Sequence, residues 1–185
     1  MVIAATIPAA LIGVFIKLLN LDDILENIFV VAIMLIFTAA LMFLVDRLGK
    51  KGRYTEKDAP MKSAWLVGVL QAVAILPGLS RSGSTIFGGL LGRLTKEFAV
   101  KFAFIISIPI ILGAGLVEMA GIIRSDEIVI DPLMWLAGFV IATVIGVFAI
   151  KLIRVLIKSS KFYLFSIYCL LASAFAFLAG FGVIG

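Results

Sequence analysis

Pro77-Gly78-Leu79-Ser80-Arg81-Ser82-Gly83-Ser84-Thr85 interrupts a chain that otherwise reads as lipid-facing. It sets an arginine, hydroxyls and two glycines between the apolar segments Ser63–Leu76 and Thr85–Gly92. A charged residue at membrane depth is costly and marks a functional site by default. Proline and glycine at that depth mean a broken helix, and irregular backbone there is tolerated only around a protected cavity.

The surrounding composition sets the class. The 185 residues are 63% hydrophobic with a mean hydropathy of +1.25. A soluble domain is nearer half apolar, so an all-α integral membrane protein is expected, as a single polytopic domain over 1–185. The formal charge of +5 does not point to nucleic acid. The basic residues lie between apolar segments, where they act as topology determinants and contacts for anionic membrane lipids. Cys169 is the single cysteine and sits in an apolar run, so it reads as a packed thiol. There is no histidine, which removes the commonest general base and transition-metal ligand. Val2–Phe15 follows Met1 without a basic region or cleavage site, so no signal peptide is expected.

Val2–Leu19, Asn27–Val45, Phe98–Ile123, Pro132–Ile150 and Phe162–Ile184 are about long enough to span a bilayer. Ser63–Leu76 and Thr85–Gly92 are not. Charge then decides the arrangement. Arg47–Lys62 holds six Lys/Arg against two acids, and Lys151–Lys161 holds four Lys/Arg and no acid. Leu21–Glu26 and Arg124–Asp131 together hold six acids and one arginine. Basic loops mark the cytoplasmic side. Loops 47–62 and 151–161 are therefore expected inside and the C-terminus outside, provided 63–92 enters and leaves on the cytoplasmic face. That assignment puts 13 of the 16 Lys/Arg inside. The expected fold is five transmembrane helices plus one re-entrant helical hairpin, 63–92.

The hairpin tip would then reach the middle of the membrane, with Pro77 and Gly78 ending the first half-helix. Ser82 or Ser84 would cap the second, beginning near Thr85. Arg81 offers a planar fork suited to two oxygens of a phosphate, and Gly83 permits close backbone approach. Ser80, Ser82, Ser84 and Thr85 add hydroxyls, and the second half-helix aims its positive end at the same place. The convergence favours a phosphate group. Gly88, Gly89 and Gly92 fit close helix packing instead. Pro8 and Pro109 read as kinks, Gln71 as a bridge between helices, Lys17 as a snorkelling side chain, and Phe175–Phe181 as lipid-facing bulk.

Residues Pro77–Ile86 carry the whole of a ten-residue signature, Pro-Gly-x-Ser-Arg-Ser-Gly-(Ala/Ser)-Thr-Ile. By it, and by the flanks Gly68–Pro77, Glu97–Ala114 and Ile7–Gly13, the chain resembles undecaprenyl-diphosphate phosphatases of the bacitracin-resistance type. The resemblance implies a fold of two inverted repeats, each with a re-entrant hairpin, in a bacterial plasma (inner) membrane, as a possible homodimer. It implies hydrolysis of a polyprenyl diphosphate to its monophosphate, recycling the carrier lipid for cell-wall synthesis. By the same resemblance Arg81 binds the diphosphate and Ser80 and Thr85 support it, so these are the catalytic candidates. Arg81, Ser82, Gly83 and Ser84 are the phosphate-binding candidates, and Pro77 and Gly78 are structural. A divalent cation, magnesium or calcium, is implied. The family's other signature, Glu-Gly-x-x-Glu-Phe-Leu-Pro-(Val/Ile)-Ser-Ser-Thr-Gly-His, is not in the sequence, so no metal ligand is expected in this chain. The chain is read as the C-terminal portion of a longer family fold, with Met1 an internal or misassigned start. It would carry only the phosphate-binding half of the site, with little activity alone. Residues alone leave a transporter or flippase for an anionic phosphate substrate as the alternative, since broken half-helices also bind anions in transporters.

Overall fold

The computed structural model describes residues 1–19, 27–124, 132–159 and 162–182. Among them are seven α-helices: α1 (Val2–Leu18), α2 (Ile28–Leu48), α3 (Met61–Val73), α4 (Arg81–Leu91), α5 (Lys96–Arg124), α6 (Pro132–Ser159) and α7 (Tyr163–Gly180). A short 3₁₀ turn, Gly49–Lys51, follows α2. Four helices, α2, α5, α6 and α7, are long and apolar enough to cross a membrane. At 17 residues α1 rises about 25 Å, just short of a hydrocarbon core of roughly 30 Å. Pro8 and Pro109 lie inside continuous helices. The acidic segments Leu21–Glu26 and 125–131, and the Lys17 side chain, lie outside the described residues.

The short pair forms an antiparallel hairpin. Ser63 Oγ, near the start of α3, donates to the Gly92 carbonyl after the end of α4 at 2.8 Å. One turn further in, Gly88 passes so close to Val67 that an added Cβ would stand 3.0 Å from the Val67 Cα. At Gly92 the same atom would stand 2.8 Å from Ser63 Cβ and Oγ, and at Gly89 2.9 Å from Ala99 Cβ. These glycines are packing residues, as their spacing predicts. On its other side α3 meets α1, where a Cβ at Gly68 would fall 2.6 Å from the Ala5 carbonyl oxygen. Gln71 Nε2 reaches that carbonyl at 3.4 Å, a long bond, so the helix-bridging role expected for Gln71 is filled by α1.

The open end of the hairpin is fixed by the preceding loop. The Arg53 and Tyr54 amides donate to the Arg93 carbonyl at 2.8 and 2.9 Å, and the Thr95 amide returns to the Tyr54 carbonyl at 2.8 Å. Within that loop the Thr55 hydroxyl and amide both donate to Asp58 and hold its carboxyl below the usual carboxylate range. Both hairpin ends thus lie beside the end of α2 and the start of α5. The apolar core, including Val45, Val67, Ile86, Leu90, Phe98 and Ile106, gathers around the hairpin.

Helix α7 packs along α2, with Ser173 Oγ donating to the Ala32 carbonyl at 2.7 Å. Phe29 meets Phe177 and Phe181 with ring centroids 6.2 and 5.2 Å away, so the Phe175–Phe181 run is partly packing surface rather than wholly lipid-facing. Cys169 is buried and free. No described side chain of α6 is buried, and none of α5 from Ser107 onward is buried.

Three sequence expectations need correction. The first half-helix is Met61–Val73 rather than Ser63–Leu76, because the chain unwinds through Ala74–Leu79 before Ser80. The second begins at Arg81 rather than near Thr85. The basic segment read as a loop from Lys151 is helical to Ser159, and Arg47 belongs to the last turn of α2. Lys and Arg are good helix formers and are favoured at helix C-termini, so a charge run ends the apolar span without ending the helix.

Gly92→Val is expected to lower stability by about 1–3 kcal/mol through overpacking against Ser63. Gly113→Ala, where a Cβ meets open space, is expected to leave stability unchanged or slightly raised. Thermal unfolding of the detergent-solubilised variants measures both.

Candidate functional site

The tip between α3 and α4 is held by a residue that the motif does not contain. Thr38, the central residue of α2, is 3% exposed. Its hydroxyl donates to the Gly78 carbonyl at 2.8 Å and accepts from the Ser80 amide at 2.9 Å. Two backbone groups of the broken segment are thereby paired in the interior. Gly78 itself has φ +86°, a left-handed conformation open to glycine. It also lies against Val31, whose carbonyl oxygen would sit 2.5 Å from an added Cβ. Pro77 and Gly78 lie within the turn, but they do not end the first half-helix, which stops earlier at Val73.

With its amide tied to Thr38, Ser80 is extended (φ −61°, ψ 112°) and becomes the N-cap of α4. Its Oγ accepts from the Gly83 amide at 3.1 Å. The cap is therefore Ser80, not Ser82 or Ser84. Arg81 is the first helical residue, so no described residue accepts from the amides of Arg81 and Ser82. Both side chains are exposed, and Ser82 Oγ lies 3.4 Å from Ser80 Oγ. Arg81 forms no ion pair with any described residue.

These groups form the floor of a cavity of about 420 Å³. Ser80, Arg81, Ser82, Gly83 and Thr85 line it from α4, and Gln71 and Ser107 add polar side chains from α3 and α5. The walls are apolar: Met42 of α2, Phe104 of α5, Ile153 of α6, and Phe162 and Phe165 beside and within α7. A polar, cationic floor under apolar walls suits an anionic head joined to an apolar tail.

The remaining candidates divide. Thr85 is 2% exposed, and its hydroxyl points back to the carbonyls of Arg81 and Ser82 at 3.0 and 2.9 Å, which stiffens the first turn of α4. Ser84 is 1% exposed, is not among the described cavity-lining residues, and its Oγ has no hydrogen-bond partner among the described residues. Among the described residues no carboxylate lines the cavity, and no three His, Cys, Asp or Glu side chains cluster to hold a metal.

Asp46, which lies outside the Pro77–Thr85 motif, is a second organising residue. Its Oδ1 pairs with Lys96 Nζ at 2.8 Å, and its Oδ2 accepts from the Tyr163 amide at 3.1 Å. Lys96 Nζ lies 4.8 Å from the centre of the Phe162 ring. One carboxylate so joins α2, α5 and α7, and positions Phe162 in the cavity wall.

Residues 1–175 match the family model of the bacitracin resistance protein BacA. The chain belongs to that family. It is 37% identical over 173 residues to an undecaprenyl-diphosphatase of Methanosphaera stadtmanae, covering 91% of this chain and 59% of the relative. An undecaprenyl-diphosphatase of Methanococcus vannielii is 36% identical, covering 91% and 64%. One of Alkaliphilus metalliredigens is 38% identical, covering 91% and 60%. The chain therefore spans roughly three-fifths of the length of these relatives. Family and apolar helices together make it a multi-pass membrane protein.

Thr38→Val keeps the shape of the side chain and strands the Gly78 carbonyl and the Ser80 amide, each at a cost of about 1–3 kcal/mol. Thr38→Ser keeps the bridge. The expected result is a destabilised Val variant whose Ser80 amide exchanges faster with solvent deuterium, and a Ser variant close to wild type. Equal behaviour of the two would show that the hydroxyl does not seat the tip.

Proposed function

We propose that the chain binds the diphosphate of a polyprenyl diphosphate and forms the phosphate-holding side of a site that hydrolyses undecaprenyl diphosphate. The products are undecaprenyl phosphate and inorganic phosphate, which returns the lipid carrier to cell-wall synthesis. One observation carries the reading. An arginine without a carboxylate partner among the described residues, exposed at the first turn of α4, floors an apolar-walled cavity in a chain whose relatives are named undecaprenyl-diphosphatase.

In this reading Arg81 grips two non-bridging phosphate oxygens with its fork, as guanidinium groups do. The Ser82 hydroxyl and the amides of Arg81 and Ser82 donate to the same group, and the positive end of α4 adds to the attraction. Ser80 and Thr85 act through the turn: one caps it, the other braces its carbonyls. Gly83 keeps the floor low, with Met42 Cε already over it. Cleavage breaks the bridging P–O bond as water adds to the terminal phosphorus. The negative charge spread over the phosphoryl oxygens is what Arg81 and the amides stabilise. The described lining residues do not fit a divalent cation, since an arginine floor repels one and no carboxylate among them faces it. Activation of the attacking water requires groups other than those lining this cavity.

The same proposal places α3–α4 as a re-entrant hairpin entering from the cytoplasmic side of a plasma membrane, with α1 as a fifth span. What supports it is the bond between its two open ends, the basic residues there, and the meeting of its tip with the centre of α2.

The test is binding of farnesyl diphosphate to the 185-residue chain in detergent, followed by calorimetry. Arg81→Ala is expected to weaken binding about 10- to 100-fold, the equivalent of losing a charged hydrogen-bonding group. Farnesol should not compete. Undiminished diphosphate binding by Arg81→Ala would falsify the assignment of the floor. In a full-length relative, phosphate release that depends on the matching arginine supports hydrolysis. Passage of the lipid across vesicles without phosphate release would instead favour a transporter.

A further inference from the structure

A second cationic recess lies where α2 ends and α7 begins. Phe43, Asp46, Arg47, Lys50 and Tyr163 line it, with a volume of about 260 Å³. Its one carboxylate is already engaged, Asp46 pairing with Lys96 and accepting from the Tyr163 amide. Arg47 and Lys50 are exposed and pair with no described acid. The Arg47 guanidinium lies 4.7 Å from the centre of the Phe43 ring, which fixes its direction and leaves its outer N–H groups to solvent. The recess is therefore net positive, rigid at its base, and aromatic along its edge.

Its position narrows the ligand. Both α2 and α7 are apolar enough to cross a membrane, and the recess sits at the ends of these two. Arginine, lysine and tyrosine at such ends lie at headgroup depth. The recess shares no described lining residue with the Arg81 cavity, which comes nearest to it in the chain at Met42 and Phe162. We propose that it binds the phosphate of an anionic phospholipid headgroup. The Arg47 fork takes the phosphodiester oxygens, Lys50 supplies the second charge, and the rings of Phe43 and Tyr163 pack against the glycerol and the first methylenes. Clusters of basic residues between membrane helices recognise anionic headgroups in this way.

The experiment measures the thermal midpoint of the detergent-solubilised chain against added phosphatidylglycerol, phosphatidylcholine and inorganic phosphate. Phosphatidylglycerol is expected to raise the midpoint saturably, and phosphatidylcholine to leave it unchanged. Arg47→Gln/Lys50→Gln should weaken the apparent affinity about tenfold or more. Lys57→Gln/Lys62→Gln, which removes the same charge elsewhere, should keep it, as should Arg81→Ala. The dependence on lipid concentration is read, not the starting midpoint, so a change in basal stability does not affect the outcome. Loss of the response in the Lys57/Lys62 variant would mean diffuse attraction and overturn the site. Its loss in Arg81→Ala would move the lipid to the other cavity and overturn it equally. A response to inorganic phosphate matching that to phosphatidylglycerol would replace the lipid with a free anion, and no response at all would remove the ligand.

Discussion

The hydroxyl of Thr38 governs the geometry around it. A helix broken in an apolar interior exposes carbonyls and amides that water cannot reach, and each must find a partner. At the hairpin tip two of them, Gly78 C=O and Ser80 N–H, find the same oxygen on the middle of α2. That pairing holds Ser80 extended, which lets its own Oγ turn onto the Gly83 amide and start α4. Arg81 becomes the first helical residue as a consequence, with its side chain and two free amides facing the cavity. A donor–acceptor pair forty residues from the motif therefore decides which way the motif points.

The opposite end of the hairpin is fixed by backbone proximity. Ser63 and Gly92 close it, Gly88 lets α4 lie on α3, and the Arg53–Tyr54 segment bonds across to Arg93 and Thr95. With both ends tied to neighbours of α2, the hairpin behaves as a rigid insert whose tip cannot drift along the helix that supports it. Rigidity of this kind matters for a phosphate site, because an arginine fork is effective only when its partner oxygens are met at a fixed angle.

Much of this was legible in residue order. The lengths of 63–76 and 85–92, together with the basic residues on either side, predict a hairpin, and the Pro77–Thr85 run predicts where it turns. The start of α4 was not legible, because Ser80, Ser82 and Ser84 are equally good caps by residue type. Only the contact with Thr38 selects Ser80, and nothing in the spacing of the motif encodes that contact. Asp46 escaped notice for a similar reason. It reads as one more charge at the end of a span, yet its partners are 50 and 117 residues away. The extent of α6 was misjudged because charge marks where an apolar span stops, whereas helix propensity marks where a helix stops, and in Lys151–Ser159 the two differ.

The electrostatics of Arg81 connect the fold to its use. The chain neutralises Lys96, whose side chain is mostly buried, with Asp46 and the face of Phe162. No described residue does anything comparable for Arg81, although the walls around that residue are largely methionine, isoleucine and phenylalanine. An exposed guanidinium with no described acid beside it keeps its full charge available to an anion placed against it. The apolar walls strengthen the attraction by lowering the local dielectric. They also reject small hydrophilic anions that would leave the phenylalanine and isoleucine surfaces wet. A phosphate carrying a long hydrocarbon satisfies both halves of the cavity at once, which makes specificity a property of the pairing between floor and wall and not of Arg81 alone.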